Sequence, residues 1–285
     1  MKHIYKAHAK INWALDILER RADGYHLMNM VMQSVALCDE LSIEPAPALS
    51  LSVDGAPAGE DNLVMRAALA LRRHTGTNLG ARMALTKRIP AQAGLGGGSA
   101  DCAAALKALN EMWGLGLDRA RLLEIGASLG ADVPFCLTGG LARVSGIGEV
   151  ISPVQRGPEI PLALVRPGGG LSTAAVFKMW DSGGFPATPF DAGALTDALV
   201  RRDSPAVGRL CANALTAPAV RLLPEIGRAL EKLRRLGAFA AFMTGSGSTV
   251  VGAFEDDAAA QAAARAFPDA VATCTLGESL GDRFL

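Results

Sequence analysis

The sequence predicts an α+β fold in two parts, and three stretches carry that prediction. From Tyr5 to Ile17 every odd position is apolar, while the even ones include Lys6, His8, Lys10, Asn12 and Asp16. A period of two is the mark of a strand with one face buried. Between Ala81 and Trp113 a second alternating segment, a glycine-rich run and a helical stripe follow one another. After Phe239, two short apolar runs, an alanine-rich segment and a last apolar run read as β-β-α-β.

Taken in order, the first strand places Lys10 and Asn12 on one side, expected to be the wetter of its two faces. Arg20-Arg21-Ala22-Asp23-Gly24 supplies turn chemistry ahead of Tyr25 and His26, since glycine accepts positive φ. Leu41–Ile43 and Leu49–Val53 read as strands, the second closed by Asp54-Gly55. Asp61 is placed to cap a helix reaching about His74, with Leu63, Ala67, Leu71 and His74 as its stripe. Ala81, Met83 and Leu85 then alternate with Arg82, Ala84 and Thr86 as a half-buried strand. Beyond the glycines, Cys102, Leu106, Leu109 and Trp113 line one helix face, which Gly114 ends.

A helix from about Asp118 to Leu129 leads to Gly130-Ala131-Asp132-Val133-Pro134. A proline two residues after an aspartate signals a helix start with Asp132 at or beside the N-cap. Gly140–Val144 and Glu149–Ile151 read as a hairpin. Ser152–Pro161 holds three prolines and reads as a linker, which sets the expected domains at 1–157 and 158–285. A short strand, Leu162–Arg166, ends at Pro167-Gly168-Gly169-Gly170, and a helix follows through Phe177. Gly183–Pro189 is loop; Ala192–Arg202 and Val220–Arg235 are helical. Strands Phe239–Met243 and Thr249–Phe254 flank Thr244-Gly245-Ser246-Gly247-Ser248. A helix capped at Asp256 or Asp257 and a strand near Val271–Leu276 finish the run.

Composition excludes several function classes. Half of the 285 residues are apolar, enough for a sizeable core, and Lys+Arg balances Asp+Glu at 28 each. A balanced charge gives no global attraction to nucleic acid or to an anionic membrane, so neither is an expected partner. Five scattered cysteines without a C-x-x-C pair argue for a reducing compartment. The first residues lack the apolar core of a signal peptide, and no stretch reaches the ~18 apolar residues of a membrane span. A soluble cytoplasmic protein is expected. The four histidines show no H-x-x-x-H pairing, so no transition-metal site is expected. Nothing in the sequence signals an oligomeric state.

The chemistry concentrates around Pro90-Ala91-Gln92-Ala93-Gly94-Leu95-Gly96-Gly97-Gly98-Ser99-Ala100-Asp101. Strand, glycine loop and helix N-terminus can hold phosphate: glycines admit the anion to the backbone, and unpaired N–H groups and the helix dipole attract it. No lysine follows the glycines, which excludes a Walker A loop. Ser99 stands where a Rossmann fingerprint needs its third glycine. Two readings stand: a loop meeting a triphosphate through its amides and Ser99, or a merely structural one, a flexible connection or a close helix–strand contact. Lys10 reads as a solvated strand lysine or a charge stabiliser, and Asp132 as a helix cap or a general base. The Gly245–Ser248 turn is a hairpin connection or a second set of amides facing an anion.

The segments Ala9-Lys10-Ile11-Asn12, Arg21-Ala22-Asp23-Gly24-Tyr25-His26, Pro90–Asp101, Gly130-Ala131-Asp132-Val133-Pro134 and Thr244-Gly245-Ser246-Gly247 occur in that order. Together they closely resemble the GHMP kinase superfamily, over essentially the whole chain. The resemblance implies an N-terminal α/β half with a glycine-rich phosphate loop and a ferredoxin-like C-terminal half. The first, second and fourth segments resemble a member that acts in non-mevalonate isoprenoid precursor synthesis. Such a member moves the γ-phosphoryl of ATP to the 2-hydroxyl of a cytidylated methylerythritol. By that resemblance Asp132 is the base and Lys10 stabilises charge. Pro90, Ala91, Gln92, Ala93, Gly94, Leu95, Gly96, Gly97, Gly98, Ser99 and Ala100 wrap the ATP phosphates, which Mg²⁺ bridges. Asn12 contacts the sugar alcohol, Tyr25 and Phe177 sandwich the cytosine, and His26 reads its polar edge. His8 departs from the family pattern, where proline is common, and the stretch Pro167–Phe177 matches loosely.

Overall fold

The computed structural model describes residues 2–185 and 187–277. Pro186, within the expected loop Gly183–Pro189, and residues 278–285, at the end of the expected second domain, lie outside the described residues.

Strand β1 (His3–Arg20) extends the alternating stretch at both ends. Its odd side is core as the pattern required, with Ala9, Ile11 and Trp13 fully buried. Its even side is exposed at Lys6 but not farther along: Lys10 and Asn12 are 4 % and 1 % exposed. Alternation separates polar from apolar side chains, and here other polar groups of the protein cover the polar ones. A turn with Gly24 at φ 90° leads to β2 (His26–Ala46), far longer than Leu41–Ile43. Both faces of β2 are buried from Met30 to Val35, so no alternation marked it.

β3 (Leu49–Val53) turns through Asp54 and Gly55 into the short β4 (Ala56–Pro57). α1 (Leu63–Thr75) is capped by Asn62, whose side chain accepts from Val64 N–H at 2.9 Å, and not by Asp61. β5 (Gly80–Thr86) and α2 (Gly97–Met112) flank the glycine run, and Cys102, Leu106 and Leu109 are fully buried as the stripe required. α3 (Arg119–Leu129) is capped by Asp118 and is followed by α4 (Val133–Thr138). β6 (Leu141–Gly146) and β7 (Val150–Val154) form the expected hairpin, so Ser152–Val154 of the expected linker are strand, as is Pro161 at its other end.

After β8 (Pro161–Val165), α5 (Thr173–Asp181) continues past Phe177. α6 (Ala192–Arg201) is followed by α7 (Ser204–Leu210), which the sequence reading left out. The single helix expected over Val220–Arg235 is two, α8 (Thr216–Leu222) and α9 (Glu225–Arg235). Pro224 has no N–H to donate and drives Leu223 out of the helical region, to φ −141° and ψ 88°. β9 (Ala240–Met243), β10 (Val250–Ala253), α10 (Asp257–Arg265) and β11 (Ala270–Cys274) complete the β-β-α-β run. Asp256 caps α10, accepting from Ala259 N–H at 2.8 Å.

The chain forms two compact units. One comprises the chain through Ala9, Leu37–Pro90 and Gly96–Thr138. In it β5 pairs parallel with β3 and antiparallel with the end of β2, Leu85 facing Leu41, while α1 packs on α2 and α4 on α2 and α3. The other comprises Lys10–Ala36, Ala91–Leu95 and the chain from Gly139. In it the start of β2 pairs with β6, and β8 to β11 form an antiparallel sheet in the order β11-β8-β10-β9. α9 covers β9 and β10, and α10 covers β8 and β11, which gives the split β-α-β arrangement of a ferredoxin-like layer. The units do not part at residue 157, because β1 and β2 each run on from one into the other. Among the described residues no helix is long and apolar enough to cross a membrane.

Candidate active site

In the second unit, β1 carries Lys10 and Asn12 two residues apart, hence on one side of the strand. Lys10 Nζ donates to Asn12 Oδ1 at 2.8 Å. Their main chains are held as well: Lys10 N–H donates to Leu95 O at 3.0 Å, and Asn12 N–H to Thr244 Oγ1 at 2.9 Å. These bonds join the strand to the first part of the glycine run and to the Gly-Ser-Gly turn.

The two loops meet backbone to backbone. A Cβ on Gly94 would stand 2.3 Å from Thr244 O and 3.1 Å from Gly247 N, and Gly94 has φ +74°. Glycine is therefore required there twice over, by space and by conformation. Thr249 N–H donates to Ala93 O at 3.3 Å. A Cβ on Gly245 would lie 3.2 Å from Lys10 Nζ, so the ammonium rests against the turn. Asn213 braces that turn, its Nδ2 donating to Met243 O at 2.7 Å and to Gly245 O at 2.9 Å. Ser246 and Thr173 are bonded through their hydroxyls at 2.8 Å, and the Ser248 hydroxyl donates to Gly169 O.

In the first unit, Gly96 at φ 68° turns the chain into α2, whose start has no side-chain cap. Ala100 N–H already donates to Gly96 O at 2.9 Å, closing the first turn, so the N–H groups ahead of it, those of Gly97, Gly98 and Ser99, are the helix-start donors suited to an anion, in the stretch Gly96–Ala100 expected to meet it. Gly130 comes close to Ser99: a Cβ on Gly130 would sit 3.8 Å from the Ser99 hydroxyl. Asp132 stands immediately before α4, half-buried, its carbonyl accepting from Cys136 N–H at 3.0 Å. Pro90 falls in this unit, and Ala91, Gln92, Ala93, Gly94 and Leu95 in the other.

Of the remaining expected residues, His26 and Phe177 meet in the second unit where β2 approaches α5, and Tyr25 immediately precedes β2. His26 is 9 % exposed and stacks on Phe177, with ring centroids 4.8 Å apart. Its Nε2 lies 2.7 Å from Asp181 Oδ1, and Trp180 meets its edge at 5.6 Å. Tyr25 is 58 % exposed, an unusual position for a large aromatic ring. One face of Phe177 is thus taken by His26. The indole N–H of Trp180 is buried with no hydrogen-bond partner.

Asn213, Trp180 and Asp181 were not singled out by sequence reasoning, while Thr173 lies in the loosely matching stretch Pro167–Phe177. For Trp180 and Asp181 a signal existed, because they follow Phe177 by three and four residues and share its helix face. Asn213 and Thr173 are placed by long-range contacts alone.

Comparison with known proteins agrees with this architecture. The GHMP kinases N terminal domain matches residues 62–140 and the GHMP kinases C terminal domain matches residues 195–273. Fold and loops thus define a phosphotransferase of the GHMP kinase class. A 4-diphosphocytidyl-2-C-methyl-D-erythritol kinase of Pelotomaculum thermopropionicum is 46 % identical over 91 % of this chain and 92 % of its own. The enzyme of that name from Geobacter metallireducens is 40 % identical over the same shares. A crystal structure of 4-(cytidine 5'-diphospho)-2C-methyl-D-erythritol kinase superposes with a TM-score of 0.82 at 34 % identity, covering 97 % of this chain and 100 % of that one. The homoserine kinase of Cytophaga hutchinsonii, at 18 % identity and a TM-score of 0.71, shares the fold. The chain belongs to the 4-diphosphocytidyl-2-C-methyl-D-erythritol kinase family of the GHMP kinases.

Proposed function

We propose that this protein transfers the γ-phosphoryl of ATP to the 2-hydroxyl of 4-diphosphocytidyl-2-C-methyl-D-erythritol, a step of isoprenoid precursor synthesis. The observation that carries the reading furthest is the seat of Lys10. A buried ammonium is costly unless it is matched by polar partners or by an anion. Here it has Asn12 Oδ1 as an acceptor and the backbone of a glycine turn beside it. In the proposed reaction that charge stabilises the negative charge developing on the transferred group. Asp132 takes the proton of the attacking hydroxyl. The glycine run Pro90–Ala100 holds the phosphates through its amides, and Asn12 orients the sugar alcohol. Tyr25 and the free face of Phe177 hold the cytosine, and His26, steadied by Asp181, reads its edge. The halves 1–157 and 158–285 are proposed as the two family domains in sequence, a division distinct from the compact units, with one matched family domain in each, 62–140 and 195–273.

Mg²⁺ fits this reading as an ion carried with ATP. Among the described residues no cluster of three or more His, Cys, Asp or Glu side chains could hold a metal. Mg²⁺ keeps several waters and is commonly bound by substrate phosphates with one or two protein oxygens, so no protein cage is required. The Ser99 hydroxyl at the start of α2 is the protein oxygen proposed to meet it. When bound, the ion neutralises phosphate charge.

A coupled ADP-release assay tests the proposal, with the cytidylated alcohol beside homoserine and mevalonate. ADP release that depends on the cytidylated alcohol is expected. Equal turnover of the other alcohols, or no ATP consumption with any of them, would overturn it.

A further inference from the structure

The glycine run Pro90–Ala100 begins after Ile89 and passes into α2 at Gly97, and in the first unit a cluster of three charged side chains touches the chain on both sides of it. Asp39, on β2, is fully buried. Its Oδ1 accepts from the N–H groups of Arg88 and, at 2.8 Å, Ile89, the residues leading into Pro90. Its Oδ2 accepts from Lys87 Nζ. The same ammonium donates at 2.6 Å to Asp101 Oδ2, in α2 just beyond the glycines. The other oxygen of Asp101 is buried with no hydrogen-bond partner. The two ends also touch: a Cβ on Gly97 would stand 3.0 Å from Ile89 Cγ2 and 3.5 Å from Lys87 Nζ.

Two buried carboxylates sharing one ammonium are a poor choice for stability alone, since an apolar trio of the same shape often does as well or better. The arrangement does something an apolar trio cannot. It grips backbone N–H groups at the entry of the loop with one carboxylate, and α2 at the exit with the other. A charged hydrogen bond is short and directional, so the separation of the two ends is set closely. Burial, opposed by Lys87 and reinforced by Asp39, pushes the Asp101 carboxyl up to about 7. The side of the clasp nearest α2 is therefore its weaker one.

We infer that Asp39, Lys87 and Asp101 form an ionic clasp that closes the base of the glycine run and fixes the spacing of its amides. These are positioning residues: none is assigned contact with the transferred group. The inference rests on the reading of the run as the ATP phosphate site, and the test separates the two.

Two measurements are made on the full chain as wild type, Asp101→Asn, Lys87→Met and Lys87→Arg. Hydrogen exchange without nucleotide reports on the clasp. Amides over residues 91–97 should exchange about tenfold faster in Asp101→Asn and Lys87→Met than in wild type, with α9 unchanged, and Lys87→Arg should restore much of the protection. Steady-state kinetics report on the consequence: KM for ATP should rise about tenfold in the same two variants, while KM for the alcohol and kcat move less than threefold. Unchanged exchange in folded Asp101→Asn would overturn the clasp whatever the kinetics show. Faster exchange with an unchanged KM for ATP would keep the clasp and remove the phosphate reading of the run.

Discussion

Lys10 and Asn12 are joined side chain to side chain at 2.8 Å on a strand that buries both of them. The ammonium is thereby aimed, since its partner is fixed in turn by the bond from Asn12 N–H to Thr244. Lys10→Met should lower kcat by about 10²–10³, the usual loss when a charge-stabilising donor is removed. ATP affinity should change little, as titration calorimetry would show. A kcat within threefold of wild type would remove Lys10 from the proposed role.

Asp132→Asn preserves shape and one acceptor oxygen but cannot accept the proton. Turnover is expected to fall by ~10²–10⁴, the range for a missing general base. Nucleotide binding measured in parallel should persist, because the glycine run is untouched.

Asp181 meets His26 Nε2 at 2.7 Å and holds the ring against Phe177. Asp181→Asn loses a charge-assisted bond, and KM for the cytidylated alcohol should rise about tenfold, equivalent to ~1.4 kcal/mol. CMP should compete with that alcohol in the wild type and more weakly in the variant. Indifference to CMP would point to a GHMP kinase of a different alcohol.

Gly94→Ala tests the contact of the two loops. The added Cβ would fall 2.3 Å from Thr244 O on a backbone already at φ +74°. Forcing a side chain into that region alone costs about 1–2 kcal/mol, so both melting temperature and ATP affinity should drop. A variant as stable as wild type would mean that the loops part easily.

Asp101 gives a pH dependence with a definite sign. Its carboxyl is raised from 3.8 to about 7, with burial the largest cause, Lys87 opposing it and Asp39 adding to it. Between those two values the folded protein holds a proton that the unfolded chain has lost. The contribution of Asp101 to stability is thus greatest below about pH 4 and declines as pH rises toward 7. The stability difference between wild type and Asp101→Asn, from urea unfolding, should shrink over that window. A difference that grows would show that Asp101 is ionised with a lowered pKa.

Much of the fold was legible because local patterns and burial coincide. Cys102, Leu106 and Leu109 of the stripe became the core face of α2, with Trp113 buried at its C-terminal end, and the alternation from Tyr5 to Ile17 became β1. It failed where the environment did not follow the pattern. β2 is covered on both sides at its centre, which erases period two, and Pro224 cut a helix that hydrophobic spacing read as continuous. The cap of α1 fell on Asn62, because which polar residue caps depends on where the chain turns and not on composition.

For the site, the sequence by itself determined the residue types and their order: a lysine and an asparagine two apart, glycines before a helix, an aspartate before Pro134, a late Gly-Ser-Gly turn. Those features resemble one kinase superfamily because backbone conformation at glycine and side-chain chemistry are local properties. Only the tertiary structure decided that Lys10 is buried against Gly245, that Thr244 and Asn213 brace the turn, and that Asp181 holds His26. Only it brought Asp39 to Lys87 and Asp101 at the foot of the glycine run. All of these pairs but Lys87 and Asp101 are far apart in the chain. Their meeting is fixed by strand register and core packing, which no window of sequence contains.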